Sequence, residues 1–301
     1  MYQFSQTLQT ALTAGNPQRV LLEFIKKPDG TVYSPAKQFS NEDILISSGL
    51  NLTAEFCSEK DLTIGLCPSA EIQFDMLNDA SQLSSFEFGT FIAYLGAKIT
   101  SGTPGSGAKT KTFTENGSTV TYEFAPLGTF VAHRPDIVKK KVISVDANDQ
   151  MILFDVDMPD AETLNITYPT TLYGLCAAMC SHLGVTLKSN SWTNSTLTVS
   201  KEPEQFGNAT MREVLGWIAE AGCSIARFTR NGMLEFAWFS TVNKTYDEHN
   251  YSEFTPAWYE TAAIDKLHIR NSNSSEDLII GQGNNAYMIL DNPFLRQDDS
   301  E

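Results

Sequence analysis

The sequence predicts a β-rich α+β fold in which short strands flank one compact module of two helices and a hairpin. Three observations carry this reading. Between Tyr168 and Ser240, two apolar helical faces are followed by a strand–turn–strand pattern. On either side, apolar residues fall in short alternating runs bounded by turn residues. The composition, 19% charged and 11% aromatic with many Gly, Ser, Thr and Asn, suits a turn-dense β protein better than a helical bundle.

Within the module, Pro169-Thr170-Thr171 is a helix-start signal. Leu172, Leu175, Cys176, Met179 and Leu183 then recur at helical steps, and Gly184 supplies a left-handed stop. Thr210 and Glu213 form a capping box ahead of Met211, Val214, Leu215 and Ile218, with Gly222 as the stop. Cys223 to Ser240 is interrupted by Asn231-Gly232, which predicts a two-residue type I′ hairpin. That register sets Thr229 against Leu234, Arg227 against Phe236 and Ile225 against Trp238. Leu234, Phe236 and Trp238 would then share a face with Ile225, which Arg227 interrupts.

Before the module, Met1 to Asn16 predicts a short amphipathic helix through Phe4, Leu8, Ala11 and Leu12, ended by Pro17. Strands are expected at Val20 to Ile25, from Ile44 to Phe56 with a bulge at Ser48-Gly49, and at Leu62 to Leu66. Others are expected at Ala70 to Leu77 and Phe91 to Ile99. Ser101 to Ala108 (SGTPGSGA) reads as a flexible loop, lacking the P-loop lysine pattern. A second hairpin is expected around Asn116-Gly117, followed by strands at Gly128 to His133 and Val138 to Ala147. This spacing suggests a barrel or sandwich across Pro17 to Ala147.

With 301 residues there is room for roughly two or three domains. A net charge of -15 disfavours binding to nucleic-acid phosphates or to anionic membrane surfaces. The N-terminus reads as lacking a signal peptide, and no stretch has the apolar length of a membrane span. Asn51, Asn194 and Asn243 therefore read as chance glycosylation triplets of an Asn- and Thr-rich composition, and five cysteines, an odd number, fit synthesis in a reducing cytoplasm.

The candidate chemical sites have simpler readings. Cys176 and Cys180 lie four apart on the apolar helical stripe, with His182 off it, so they read as small buried hydrophobes rather than metal ligands. Asp155, Asp157 and Asp160 lack the glycine and distal glutamate of a calcium loop and read as a solvated turn. No nucleophile motif is present, and His133 and His268 fall in strand-like segments. Lys139-Lys140-Lys141 reads as a solvated edge strand, or as a subunit contact. The expectation is a non-enzymatic protein with no cofactor and no metal.

Several passages, in order, resemble phage tail hub proteins. Phe39-Ser40-Asn41-Glu42-Asp43-Ile44, Phe88-Gly89, Gly128-Thr129-Phe130 and Val142 to Met151 are similar to the first domain of that family. Tyr168 to Leu172, Ala209 to Glu220 and Arg230 to Phe236 resemble its inserted helical module. Ile264-Asp265, Gly281 to Tyr287 and Asp291 to Leu295 look like the beginning of its second barrel.

The resemblance implies an N-terminal helix or arm over 1–16 and a tail-tube-like β-barrel domain over 17–160. An inserted two-helix-plus-hairpin module over 161–245 and a partial second β domain over 246–301 would follow. Hubs of this kind continue further, so the second barrel is expected to be incomplete or completed differently. The resemblance further implies a virion structural protein of a phage, prophage or related injection particle, made in the bacterial cytoplasm and carried at the tail tip. Such proteins form a homotrimeric ring, two barrels per subunit, against the sixfold tail tube. Partners would be the tube or distal tail protein, the tape-measure protein and spike or tail-fibre parts. On that reading Lys139, Lys140, Lys141, Ser101, Gly102, Gly105 and Gly107 are candidate contacts with subunits or the tube. Two other classes are open: a host-surface carbohydrate-binding tail module using Phe254, Trp258 and Tyr259, and a cell-wall hydrolase with two spaced acids.

Overall fold

The computed structural model describes residues 4–45, 49–54, 64–77, 87–133, 136–139, 142–238, 265–270 and 278–295. Helix α1 (Gln6–Thr13) starts later than the sequence suggests, because the Ser5 hydroxyl accepts from the Leu8 amide and sets the cap there. Its buried Leu8 and Ala11 lie on Ala97 and Ala125 of the sheet below.

Among the described residues that sheet has nine strands: β1 (Gln18–Lys26), β2 (Val32–Ser40), β3 (Leu50–Thr53), β4 (Glu71–Leu77), β5 (Thr90–Lys98), β6 (Lys109–Glu115), β7 (Ser118–Ala132), β8 (Asp136–Lys139) and β9 (Val142–Asp149). The order is β2-β1-β5-β7-β9-β4-β3, with β6 on β7 and β8 on β9, and every pairing is antiparallel. Ile72, Phe74 and Met76 alternate inward along β4, as their spacing predicts. The Asn116-Gly117 turn has positive φ at both residues and joins Glu115 directly to Ser118, the expected type I′ hairpin.

One long strand replaces the two expected in β7. It bulges at Leu127, where the register against β5 slips between Pro126 and Gly128. Beyond that kink its free edge changes partner from β6 to β9. β2 is an addition that its polar, proline-containing sequence conceals. Two expected strands are corrected. Among the described residues of the run from Ile44, only Leu50–Thr53 is a strand, and residues 64–66, the described part of the expected Leu62 to Leu66 strand, form a turn and extended chain. Ile46, Ser48 and Phe56 lie outside the described residues, while Gly49 has the left-handed φ of +63°.

The sheet rolls over its own apolar face. Phe74 of β4 and Phe91 of β5 have two strands between them in the sheet, yet their rings meet edge-on at 5.8 Å. Phe24, Phe39, Phe88 and Phe130 complete this core. Among the described residues the roll is not a closed barrel, since β2 and β3 do not pair. The chain after β2 touches β4 through the isolated Ile44–Met76 bridge.

The outer face carries a second cluster of Leu21, Tyr94, Tyr122 and Phe124 under β6. Glu115 is wired into it by the Tyr122 hydroxyl at 2.7 Å, by Lys98 at 3.0 Å and by Arg19 at 3.1 Å. The Tyr122 hydrogen bond foremost, then Lys98 and Arg19, hold the Glu115 carboxyl down at about 2 against a partial desolvation that raises it. A depressed folded pKa gives stability that is complete above the unfolded value of 4.5 and is lost as pH falls toward about 2. Glu115→Gln is therefore expected to lower the urea midpoint at neutral pH and to flatten its decline over that acid window. An unchanged acid limb would show that the network contributes nothing.

Candidate functional site

The module hangs from the last sheet strand. A 3-10 helix at Gln150–Phe154, capped by the Asp149 carboxylate accepting from the Met151 amide, sends Met151 and Phe154 into the module's core. There they meet α2 (Leu172–Leu183) and α3 (Met211–Ala221). The predicted caps form: Thr171 accepts from Gly174, Gly184 is left-handed at φ +66°, and Thr210 and Glu213 make the reciprocal box. Gly222 has a different reason for being glycine. Its φ is -85°, the left-handed residue being Cys223, and a Cβ at 222 would lie 3.0 Å from the Trp192 ring.

Short strands complete the module. β10 (Thr170–Thr171) pairs with β12 (Thr198–Val199), and β11 (Thr186–Leu187) lies parallel to β14 (Met233–Ala237), which pairs with β13 (Ile225–Phe228). The β13–β14 hairpin corrects the sequence reading. Phe228 pairs with Leu234, Arg227 with Glu235, Ala226 with Phe236 and Ile225 with Ala237, one residue out from the expected register. The loop has three residues, Arg230-Asn231-Gly232, with only Gly232 at positive φ, and the Thr229 amide bonds to the Met233 carbonyl. The slip exchanges the faces. Leu234 and Phe236 side with Ala226 and Phe228, and Phe236 stacks on Trp192 at 4.3 Å. Arg227 lies on the other face, bonded to Glu235 at 2.9 Å, and Glu235 also binds Lys188. Trp238 is exposed.

Besides the 3-10 helix, two contacts among the described residues join this module to the sheet. Residues 64–67 run along the open edge of β13: the Gly65 amide donates to the Ser224 carbonyl at 2.8 Å, and the Ala226 amide to the Leu66 carbonyl at 3.0 Å. Gly65 lies so close to α3 that a Cβ would sit 2.9 Å from the Glu220 side chain. At the other end, the hairpin tip rests on β7. A Cβ at Gly232 would be 2.5 Å from the Thr129 hydroxyl and 2.8 Å from the Gln150 amide oxygen. Arg230 lies over the Phe4 ring at 5.6 Å.

The tip, the sheet and the 101–108 loop line an open pocket of about 420 Å3. Tyr94, Phe124 and Pro126 give it buried apolar walls, and Lys109, Arg230 and Thr129 add polar groups. The loop is anchored rather than free. Thr7 donates to the Thr103 carbonyl at 2.7 Å, and Gly105 donates to the buried Glu123 at 3.3 Å while abutting Ser5. Ser101, Gly102 and Gly107 are exposed, and Gly107 lines the pocket.

Lys139 ends β8, whose pairing partner is β9. Lys140, Lys141, Phe254, Trp258 and Tyr259 lie outside the described residues. Cys176 and Cys180 are buried, and the hydrogen bond between them, with burial, pushes the Cys176 thiol well above its ordinary range. Burial likewise pushes the Cys67 thiol up to about 12. Among the described residues no group of three His, Cys, Asp or Glu side chains could hold a metal ion. Asp155 pairs with Arg212 at 2.7 Å, and Asp160 accepts from the Thr163 amide at 2.8 Å. His133 bonds to Asn148 at 2.6 Å, and His268 lies in β15 (Lys266–Arg270).

With β16 (Leu278–Gly281) and β17 (Ala286–Leu290), β15 forms a small sheet that also docks on the module. Buried Asn292 donates to the Trp217 carbonyl at 3.0 Å and to Glu220 at 2.8 Å, and Phe294 meets Phe206 edge-on. The apolar periodicity announced the module's core. The junction, built from glycine clearances and loop backbone, has no comparable sequence signal.

No protein-family model matches the chain, and no curated protein does. Among the solved structures similar to it are three tail proteins. The 43 kDa tail protein of prophage MuSo2 from Shewanella oneidensis is 12% identical with a TM-score of 0.48, the match covering 91% of this chain and 72% of that one. The tail protein from Neisseria meningitidis MC58 is 10% identical with a TM-score of 0.45, over 91% and 71% of the two chains. Prophage tail protein gp18 from Listeria monocytogenes EGD-e is 11% identical with a TM-score of 0.44, over 90% and 71%.

The junction geometry predicts an asymmetry between two positive-φ glycines. A Cβ at Gly117 would have nothing within 4 Å, whereas one at Gly232 would face Thr129 and Gln150. Gly117→Ala should cost roughly 1–2 kcal/mol from the left-handed backbone alone. Gly232→Ala should cost roughly 1–3 kcal/mol more through the collision. Equal losses in chemical denaturation would mean that the tip does not bear on β7.

Proposed function

We propose that the chain is a structural protein of a phage or prophage tail, and that it forms the ring-shaped hub joining the tail tube to spike or fibre parts. The observation that carries this is the chain order of its parts. A rolled antiparallel sheet passes into a helical module through Gln150–Phe154, and the chain then returns to β-structure that docks back on that module. This is the order that the ordered motifs of the sequence imply for a tail hub. The passage Val142 to Met151 forms β9 and the start of the 3-10 helix, Ala209 to Glu220 carries α3 with its cap, and Arg230 to Phe236 forms the hairpin.

On this reading three copies form the ring, each sheet acting as a tube-like barrel, with the tube or distal tail protein, the tape-measure protein and the spike or fibre protein as neighbours. The exposed Ser101, Gly102 and Gly107, with Gly105 fixing the loop, supply one candidate contact, and Lys139, Lys140 and Lys141 another. The role is architectural, with no catalytic step assigned to any residue. Light scattering on the purified chain, alone and mixed with tube or spike protein, tests it. The expected result is a trimer, or a monomer that becomes threefold on a partner. A monomer indifferent to every tail protein would overturn the proposal.

A further inference from the structure

Two opposite charges without an ion pair among the described residues, each beside an apolar feature, stand on separate parts of this chain. The first is in the junction pocket. Lys109 is matched there by Glu23 at 2.6 Å, but Arg230 has the Phe4 ring beneath it and no ion pair among the described residues. The pocket therefore joins buried Tyr94, Phe124 and Pro126 to one uncompensated cation, in a chain of net charge -15. At about 420 Å3 it falls in the range of small-ligand sites, large enough for a few side chains and too small for a helix. Charge complementarity calls for an occupant that is acidic and apolar together.

The second feature is the turn Asp155-Val156-Asp157, which leaves the 3-10 helix toward α2. Val156 is 46% exposed, with a carboxylate on each side in sequence. Asp155 is held by Arg212, whereas exposed Asp157 has no ion pair among the described residues. The turn is held in place: the Met211 amide donates to the Val156 carbonyl at 2.8 Å, and Asp157 bridges to Thr210. A fixed turn loses little conformational freedom on binding.

We propose that the junction pocket of one copy receives the Val156 turn of a second copy, with Asp157 set against Arg230. The pocket and the turn are different patches of the same chain, so the contact is head-to-tail, and it closes into a ring or continues as a filament according to its rotation. The inference deepens the ring reading above and rests on its claim of self-association. It gives that ring a named contact across the joint between sheet and module, so that each copy's occupancy would brace the hairpin tip of the next.

Sedimentation velocity over a concentration series tests the contact with the full chain. The set is the wild type, Arg230→Glu, Asp157→Lys, the double reversal, and Val156→Ser as a change that leaves charge alone. Both charge sites are exposed, and circular dichroism checks that every variant is folded. Each single reversal should weaken self-association at least about tenfold, and the double reversal should recover most of it. Val156→Ser should weaken assembly without altering its salt dependence. Assembly unchanged by either single reversal would overturn the contact while leaving the tail reading intact. So would a double variant no stronger than the singles, or a loss confined to binding another tail protein. A wild type that never associates, even with tail partners, would remove the tail reading itself.

Discussion

The three-residue turn at Arg230-Asn231-Gly232 is the constraint on which the rest of the architecture depends. It fixes which of two registers the β13–β14 hairpin adopts, and a strand's side-chain period of two leaves no intermediate choice. In the register adopted, Leu234 and Phe228 face the module's core, while Arg227 and Glu235 meet where their charges can be paired. The same choice leaves Ala226 facing its open edge with an amide to offer, and Leu66 supplies the carbonyl. The turn also puts Gly232 against Thr129, where a Cβ would collide with the Thr129 hydroxyl.

The sheet and the module consequently share structure rather than merely adjoin. Met151 and Phe154, fully buried, leave the sheet and enter the module's core, and Cys67 packs there from the opposite direction in the chain. Hydrophobic burial supplies the attraction. The backbone bonds of residues 65–66 to 224–226 and the glycine clearances at 65 and 232 supply the orientation. The closest approaches are made by backbone, which offers few rotamers through which the joint could loosen.

How much of this was legible depended on whether side chains or backbone carried the information. Helical stripes, caps and the inward alternation of β4 are side-chain patterns, and they could be read directly. The two Asn-Gly pairs mark the boundary. At Asn116-Gly117 the dipeptide closes a two-residue turn with nothing near it. At Asn231-Gly232 contact with β7 and pairing of Arg227 with Glu235 accompany a longer turn, and local preference gives way to the tertiary setting. β2 was missed because an edge strand can be polar and contain proline, so it lacks the apolar signal of an interior strand. The pocket joins residues from β5, the 101–108 loop, β7 and the hairpin tip, whose proximity follows only from the joint.

The central claim is that sheet and module are one cooperative unit, held by the edge bonding at β13. Native-state hydrogen exchange at the Gly65 and Ala226 amides tests it most directly. If the claim is right, both amides exchange only through global unfolding, with the same free energy and denaturant dependence as the amides of β5 and β7. If they exchange at a much lower free energy while β5 and β7 stay protected, the two units separate independently and the joint does not hold them.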